Sequence, residues 1–84
     1  MKIIFLDQGW DDYLYWQNMD KALLKKINQL IKEIERSPFE GTGKPEPLKH
    51  DLTGLWSRRI TLEHRLIYRI DNDSVIIHQC RYHY

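Results

Sequence analysis

Leu23, Leu24, Ile27, Leu30, Ile31 and Ile34 recur at the i, i+3, i+4, i+7 spacing that lines apolar side chains along one stripe of a helix, with lysines and glutamates opposite. A stripe of this kind must be covered, so the rest of the chain has to supply an apolar layer for it. The helix has to end before Pro38, because proline disfavours the α region at Ser37 and has no N–H to donate. Asp20 is placed to cap its start. Upstream, Lys2 to Leu6 is β-branched and apolar and reads as a strand. Asp7 then offers an N-cap to a first helix that brings Trp10, Tyr13 and Leu14 to one face.

Between Ser37 and Gly54 lie all three prolines and three of the four glycines, so no regular period persists and the segment reads as a long loop of the kind that carries function. Beyond it the period is two. Leu55 to Thr61, His64 to Ile70 and Val75 to Tyr82 read as strands, with Asp71, Asn72, Asp73 and Ser74 supplying a turn between the last two. The fold expected is α+β: a small antiparallel β-sheet, one N-terminal strand plus three C-terminal strands, with two N-terminal helices packed on one face. At 84 residues the chain has room for one core, and residues 1–84 are read as a single domain.

Strand parity sorts the second half into two faces. Trp56, Ile60, Leu66, Tyr68, Ile70, Ile76, Cys80 and Tyr82 share the parity expected to face the helices. Ser57, Arg59, Arg65, Arg69, Gln79 and Arg81, followed by His83 if the last strand stays extended, share the other. A charged strand face is most often simply solvated, but adjacent arginines repel and nearby acids are few, so an anion-binding surface is the favoured reading. Arg58 has the core parity and does not fit; snorkelling to an edge or supporting a loop would accommodate it.

The formal net charge of +1 hides this arrangement. Residues 1–40 carry six basic against seven acidic side chains, and residues 41–84 seven against five, with arginine dominant and all four histidines present. Guanidinium forks suit phosphate oxygens, so the asymmetry has the chemistry of an RNA partner. The single cysteine, Cys80, has no internal disulfide partner and reads as a small buried hydrophobe. Ile3 to Leu6 is too short an apolar run for a secretory or membrane-spanning segment, and a cytoplasmic location is expected.

Glu46 is bracketed by Pro45 and Pro47, which restrict a carboxylate that general-base chemistry would need held in place. Arg81-Tyr82-His83-Tyr84 is basic and aromatic, unlike a solvated tail: His83 can exchange a proton near neutral pH, and Tyr84 can stack on an unpaired base. His78 and Cys80 share a parity that His83 does not, and they are too few for a zinc site, so no metal is expected. His50 and His64 read as loop or strand-end residues, with His64 able to fix the approach of Arg65.

Taken together and in order, Trp10-Asp11-Asp12-Tyr13, Pro38-Phe39-Glu40-Gly41, Gly43-Lys44-Pro45-Glu46-Pro47-Leu48, Trp56-Ser57-Arg58-Arg59-Ile60, Glu63-His64-Arg65-Leu66 and Cys80-Arg81-Tyr82-His83-Tyr84 closely resemble the YoeB toxins of the RelE/ParE superfamily, end to end. The resemblance implies a RelE-like sheet with two helices on one side. It also implies a type II toxin that enters the ribosomal A site and cuts messenger RNA there as an endoribonuclease, without metal or cofactor. On that reading Glu46 is the general base, His83 the general acid and Arg65 the group that stabilises charge on the phosphate. Lys49 and Arg59 assist, Tyr84 orients the nucleotide, and Arg81 adds to RNA binding. The implied partners are the ribosome with its messenger RNA and a YefM-type antitoxin whose acidic, disordered segment would cover the basic face, with a homodimer also implied and no membrane. Leu62 and Arg69 are places where the chain departs from relatives, neither of them catalytic. Two alternatives remain open: a non-catalytic protein-interaction toxin such as the superfamily's ParE-type gyrase inhibitors, which have no need of Glu46, Arg65 and His83 together, and a catalytically silent RNA-binding module.

Overall fold

A computed structural model describes residues 1–82. Strand β1 (Lys2–Phe5) leads into helix α1 (Asp7–Met19) and helix α2 (Lys21–Arg36). After the Pro- and Gly-rich loop come a two-residue strand β2 (Glu46–Pro47), a 3-10 turn (His50–Leu52), and strands β3 (Trp56–Arg59), β4 (Arg65–Asp71) and β5 (Ser74–Gln79). The strands form one sheet in the order β1-β5-β4-β3-β2.

The α+β class holds, and two details of the sheet differ from the sequence reading. β1 pairs with β5 in parallel, Ile4 opposite Ile76, so the sheet is mixed. β2 adds a fifth strand inside the segment read as loop, antiparallel to β3. Pro47 is tolerated there because β2 is an edge strand.

α2 follows its pattern: the Asp20 side chain accepts from the Leu23 N–H, and Ile27, Leu30, Ile31 and Ile34 are buried. In α1 the cap position belongs to Leu6, which makes no side-chain cap bond, and Asp7 is the first helical residue, an acid in the first turn. The buried face of α1 is Gly9, Asp12 and Trp16, with Trp10 46% exposed and stacked on Tyr13. Gly9 is where the helix meets the sheet. A β-carbon there would lie 2.6 Å from the Ile77 carbonyl oxygen.

Both helices pack on the same sheet face, around Ile60, Leu66, Tyr68, Val75, Ile77 and Cys80. Tyr68 pairs with Ile77 but Ile67 pairs with Gln79, leaving His78 as an extra residue in a β-bulge. The bulge puts Val75, Ile77 and Cys80 on one side. The parity assigned from sequence therefore fails for Ile76, which pairs with Ile4 and Arg69 on the opposite face. β5 stops at Gln79 rather than Tyr82, because the Cys80 N–H donates to the buried Asp12 carboxylate and the Cys80 carbonyl accepts from Trp16 Nε1. Tyr82, expected in the core, is 55% exposed.

Candidate functional site

Cross-strand partners share a face, so the registers locate the sequence-predicted groups relative to one another. Glu46 lies opposite Ser57, Ser57 opposite Ile67, and Ile67 opposite Gln79, one continuous row across the sheet on the side away from the helices. Two residues along, Arg59 lies opposite Arg65. Glu46 and Arg59 thus occupy diagonal neighbouring positions, about 7 to 8 Å apart at Cα in such an arrangement, and Arg65 lies one strand further on, opposite Arg59.

Each member is held differently. Glu46 is fixed at the backbone by β2 pairing, and its exposed carboxylate comes within 3.9 Å of Lys44 Nζ. The Arg59 N–H donates to the Gly43 carbonyl at 2.6 Å, tying β3 to the start of the Glu46 segment, and its guanidinium has no hydrogen-bond or ion-pair partner among the described residues. Arg65 is restrained: its Nη1 donates to the carbonyls of Thr61 at 2.6 Å and of Leu62 and His64 at 3.2 Å. Those three acceptors leave the charge unneutralised while limiting where it can point. Lys49 begins the 3-10 turn beyond Leu48, and Glu46 to Leu52 line an open depression of about 690 Å³.

Two of the arginines read as anion-facing are used otherwise. Arg69 pairs with Asp71 at 3.1 Å and donates to His78 Nε2 at 3.2 Å, so an acid does neutralise it. Burial, with the Arg69 charge adding to it, holds His78 below the ordinary histidine value, which keeps it neutral and able to accept. Arg81 lies beyond the end of β5, its guanidinium 3.5 Å from the centre of the Tyr15 ring of α1. His83 and Tyr84 lie outside the described residues, as do the roles read for them.

Arg58 supports a loop. Fully buried, it donates from Nε to the Tyr68 hydroxyl, from Nη1 to the Thr42 carbonyl, and from Nη2 to the Ser37 and Glu40 carbonyls. The Tyr68 hydroxyl in turn donates to the Pro38 carbonyl at 2.7 Å. Burial raises the Tyr68 phenol above its ordinary value, with Arg58 acting the other way, so the proton needed for that bond stays on. Four carbonyls of residues 37–42 are thereby anchored just before the Glu46 strand.

The sequence reading gave no role to Asp12, which is buried and accepts from both Gln8 and Cys80. Its signal was an acid spaced between Gly9 and Trp16 on what becomes the inner face of α1. It did not foresee the apolar residues on the open face either, where Ile67 is buried and Ile76 is buried opposite Ile4, 41% exposed. Among the described residues, no group of three His, Cys, Asp or Glu side chains converges as a metal site would require, and no helix is long and apolar enough to cross a membrane.

The model of the YoeB-like toxin of the bacterial type II toxin-antitoxin system matches residues 5–84. The chain belongs to the YoeB family. It is 64% identical to the toxin YoeB of Escherichia coli K12 over 84 residues, all of both chains. Among solved structures, the YoeB/ParE toxin of Agrobacterium tumefaciens superposes at a TM-score of 0.98 with 50% identity over the whole of both chains. A YoeB of Staphylococcus aureus, solved as a dimer and as a heterotetrameric complex with YefM, superposes at 0.93 with 50% identity over all of this chain and 98% of that one. As a YoeB family member the chain is a type II toxin-antitoxin toxin.

Proposed function

We propose that this YoeB family member is a ribosome-dependent endoribonuclease that cuts messenger RNA in the ribosomal A site. The observation carrying this reading is the strand register that sets Glu46 diagonally from Arg59, with Arg65 opposite Arg59 on the next strand of the same sheet face. Cleavage of RNA by its own 2′-hydroxyl needs proton removal, charge stabilisation and leaving-group protonation. Glu46 takes the 2′-hydroxyl proton, and the 2′-oxygen bonds to the adjacent phosphorus. Arg65, with Arg59 and Lys49, stabilises the charge that builds on the phosphoryl oxygens. The bond from phosphorus to the 5′-oxygen breaks as His83 donates a proton to that oxygen, leaving a 2′,3′-cyclic phosphate and a 5′-hydroxyl. Tyr84 stacks on the nucleotide. None of these steps calls for a metal or cofactor.

The partners follow the same chemistry. The Staphylococcus aureus relative assembles with YefM and with itself, and an acidic antitoxin segment would complement Lys49 and Arg59 on this chain. The site of action is the cytoplasm, where ribosomes are engaged.

The test adds the purified protein to programmed ribosomes and maps the 5′ ends of the message fragments. Cleavage at the A-site codon is expected. Absence of cutting above a no-protein control would overturn the reading and favour a toxin acting by protein contact.

A further inference from the structure

We propose that His64 is a positioning residue that grips Tyr82, the residue to which His83 is covalently joined, an inference that rests on the ribonuclease reading for its catalytic consequence. The Tyr82 N–H donates to His64 Nδ1 at 2.7 Å, and the Tyr82 carbonyl accepts from the Arg65 N–H at 3.1 Å. Two consecutive residues at the start of β4 therefore hold both polar groups of one residue of the tail. His83 is bonded to the same carbonyl carbon whose oxygen Arg65 holds.

The backbone at Tyr82 shows that the turn is imposed. Its φ of 59° lies in the left-handed region, which a bulky aromatic residue rarely adopts and which persists only where surrounding contacts enforce it. The ring is contacted as well: it packs on the His64 imidazole at 5.3 Å, and Arg81 donates to its hydroxyl at 3.0 Å.

His64 is itself anchored on two sides. Its carbonyl accepts from the N–H groups of Ile60 and Thr61, and its N–H donates to Thr61 Oγ1, which locks the residue into the β3–β4 turn. Its ring meets the buried Trp16 indole edge to face at 4.8 Å, and that indole donates to the Cys80 carbonyl. One imidazole therefore joins α1, the arginine-bearing turn and the tail. Accepting at Nδ1 requires that nitrogen to be unprotonated, so the ring is the neutral Nε2–H form. The same turn carries the Arg65 guanidinium, so His64 couples the position of the charge-stabilising group to the origin of the proton donor.

The test uses the full chain and three variants. His64→Leu removes the acceptor. His64→Gln keeps polarity but carries its acceptor one bond further out. His64→Asn keeps an oxygen at the position of Nδ1. Amide hydrogen exchange at Tyr82, read by NMR, is expected to speed up about tenfold in the Leu and Gln variants, the worth of one such hydrogen bond, and to stay slow in His64→Asn. On programmed ribosomes, kcat is expected to fall about tenfold or more in the Leu and Gln variants with KM little changed, and to recover in Asn. Unchanged Tyr82 exchange in both Leu and Gln variants, or an Asn variant as impaired as Leu, would overturn the proposal. If Leu fails to fold, Gln against Asn decides it. A wild-type protein that cuts no message sinks the ribonuclease reading instead, and the exchange data still settle whether His64 grips Tyr82.

Discussion

Arg58 and Tyr68 are bonded to each other inside the protein and to neighbouring carbonyls of the same loop, Arg58 reaching Ser37, Glu40 and Thr42 while Tyr68 reaches Pro38. A buried guanidinium satisfied in this way is costly to disturb, because removing it strands several acceptors at once. Arg58→Met is expected to lower stability by roughly 3 kcal/mol and Tyr68→Phe by about 1 to 2 kcal/mol. Urea unfolding followed by tryptophan fluorescence measures both. Losses of under half a kilocalorie would mean the loop is held by something else.

Glu46→Ala is expected to reduce cleavage on programmed ribosomes by about a hundredfold or more while leaving ribosome binding intact, since a general base contributes to the chemical step and little to docking. The side chain is exposed and its neighbour Lys44 is more exposed still, so folding should be untouched. Unaltered cutting by the variant would remove Glu46 from the role of base.

Gly9 admits no side chain without moving β5 or α1, because the Ile77 carbonyl occupies the space. Gly9→Ala should therefore destabilise by about 1 to 3 kcal/mol, in spite of alanine's better helix propensity. A thermal melt that rises instead would show the helix can shift freely.

His78 links stability to pH. Its folded-state value is depressed by burial and then by Arg69, so the unfolded chain takes up a proton more readily. The stability this represents is fully present above the ordinary histidine value and is lost as pH falls through the lower folded value. Protonation also removes the acceptor that Arg69 uses. Denaturant midpoints measured at successive pH values should fall across that window, and His78→Gln, which can still accept from Arg69, should flatten the slope. A slope identical in the variant would assign the dependence to other groups.

Cys80 should be chemically silent in the native state. Its thiol has no solvent exposure and is pushed up to about 12 by burial, with the nearby Asp12 charge adding to the effect. A disulfide reagent at mildly alkaline pH is expected to label it only at the rate of unfolding. Rapid stoichiometric labelling of the folded protein would contradict the packing around Asp12.

How far the residues themselves disclosed this arrangement depended on whether a signal was local. α2 was fully legible because its stripe, its Asp20 cap and Pro38 agree with one another. The open-face assignment of Ser57, Arg59 and Arg65 was legible because β3 and the start of β4 alternate without interruption. Before His78 the alternation was misplaced: the extra residue there exchanges the faces, so Ile76 was set on the wrong side while Cys80 was not, and no composition marks the bulge. β2 was missed since two residues carry no period. Its proline suggested rigidity but not pairing with Ser57. Arg58 was flagged as a misfit by parity, and its partners came from loop carbonyls that no side-chain pattern encodes.

The sheet order has a consequence for how the molecule forms. β5 lies between β1 and β4, so among the described residues the opening strand pairs with residues 74–77 alone. Until those residues arrive, β1 lacks its strand partner and α1 lacks the Ile77 and Cys80 surface it covers. Joining residues 2–5 to residues 74–77 closes a loop spanning most of the chain, a contact of long sequence separation that costs more entropy than the local pairings of β3 with β4. A partial chain lacking β5 would leave β1 without its partner and Gly9 of α1 without the Ile77 carbonyl it packs against.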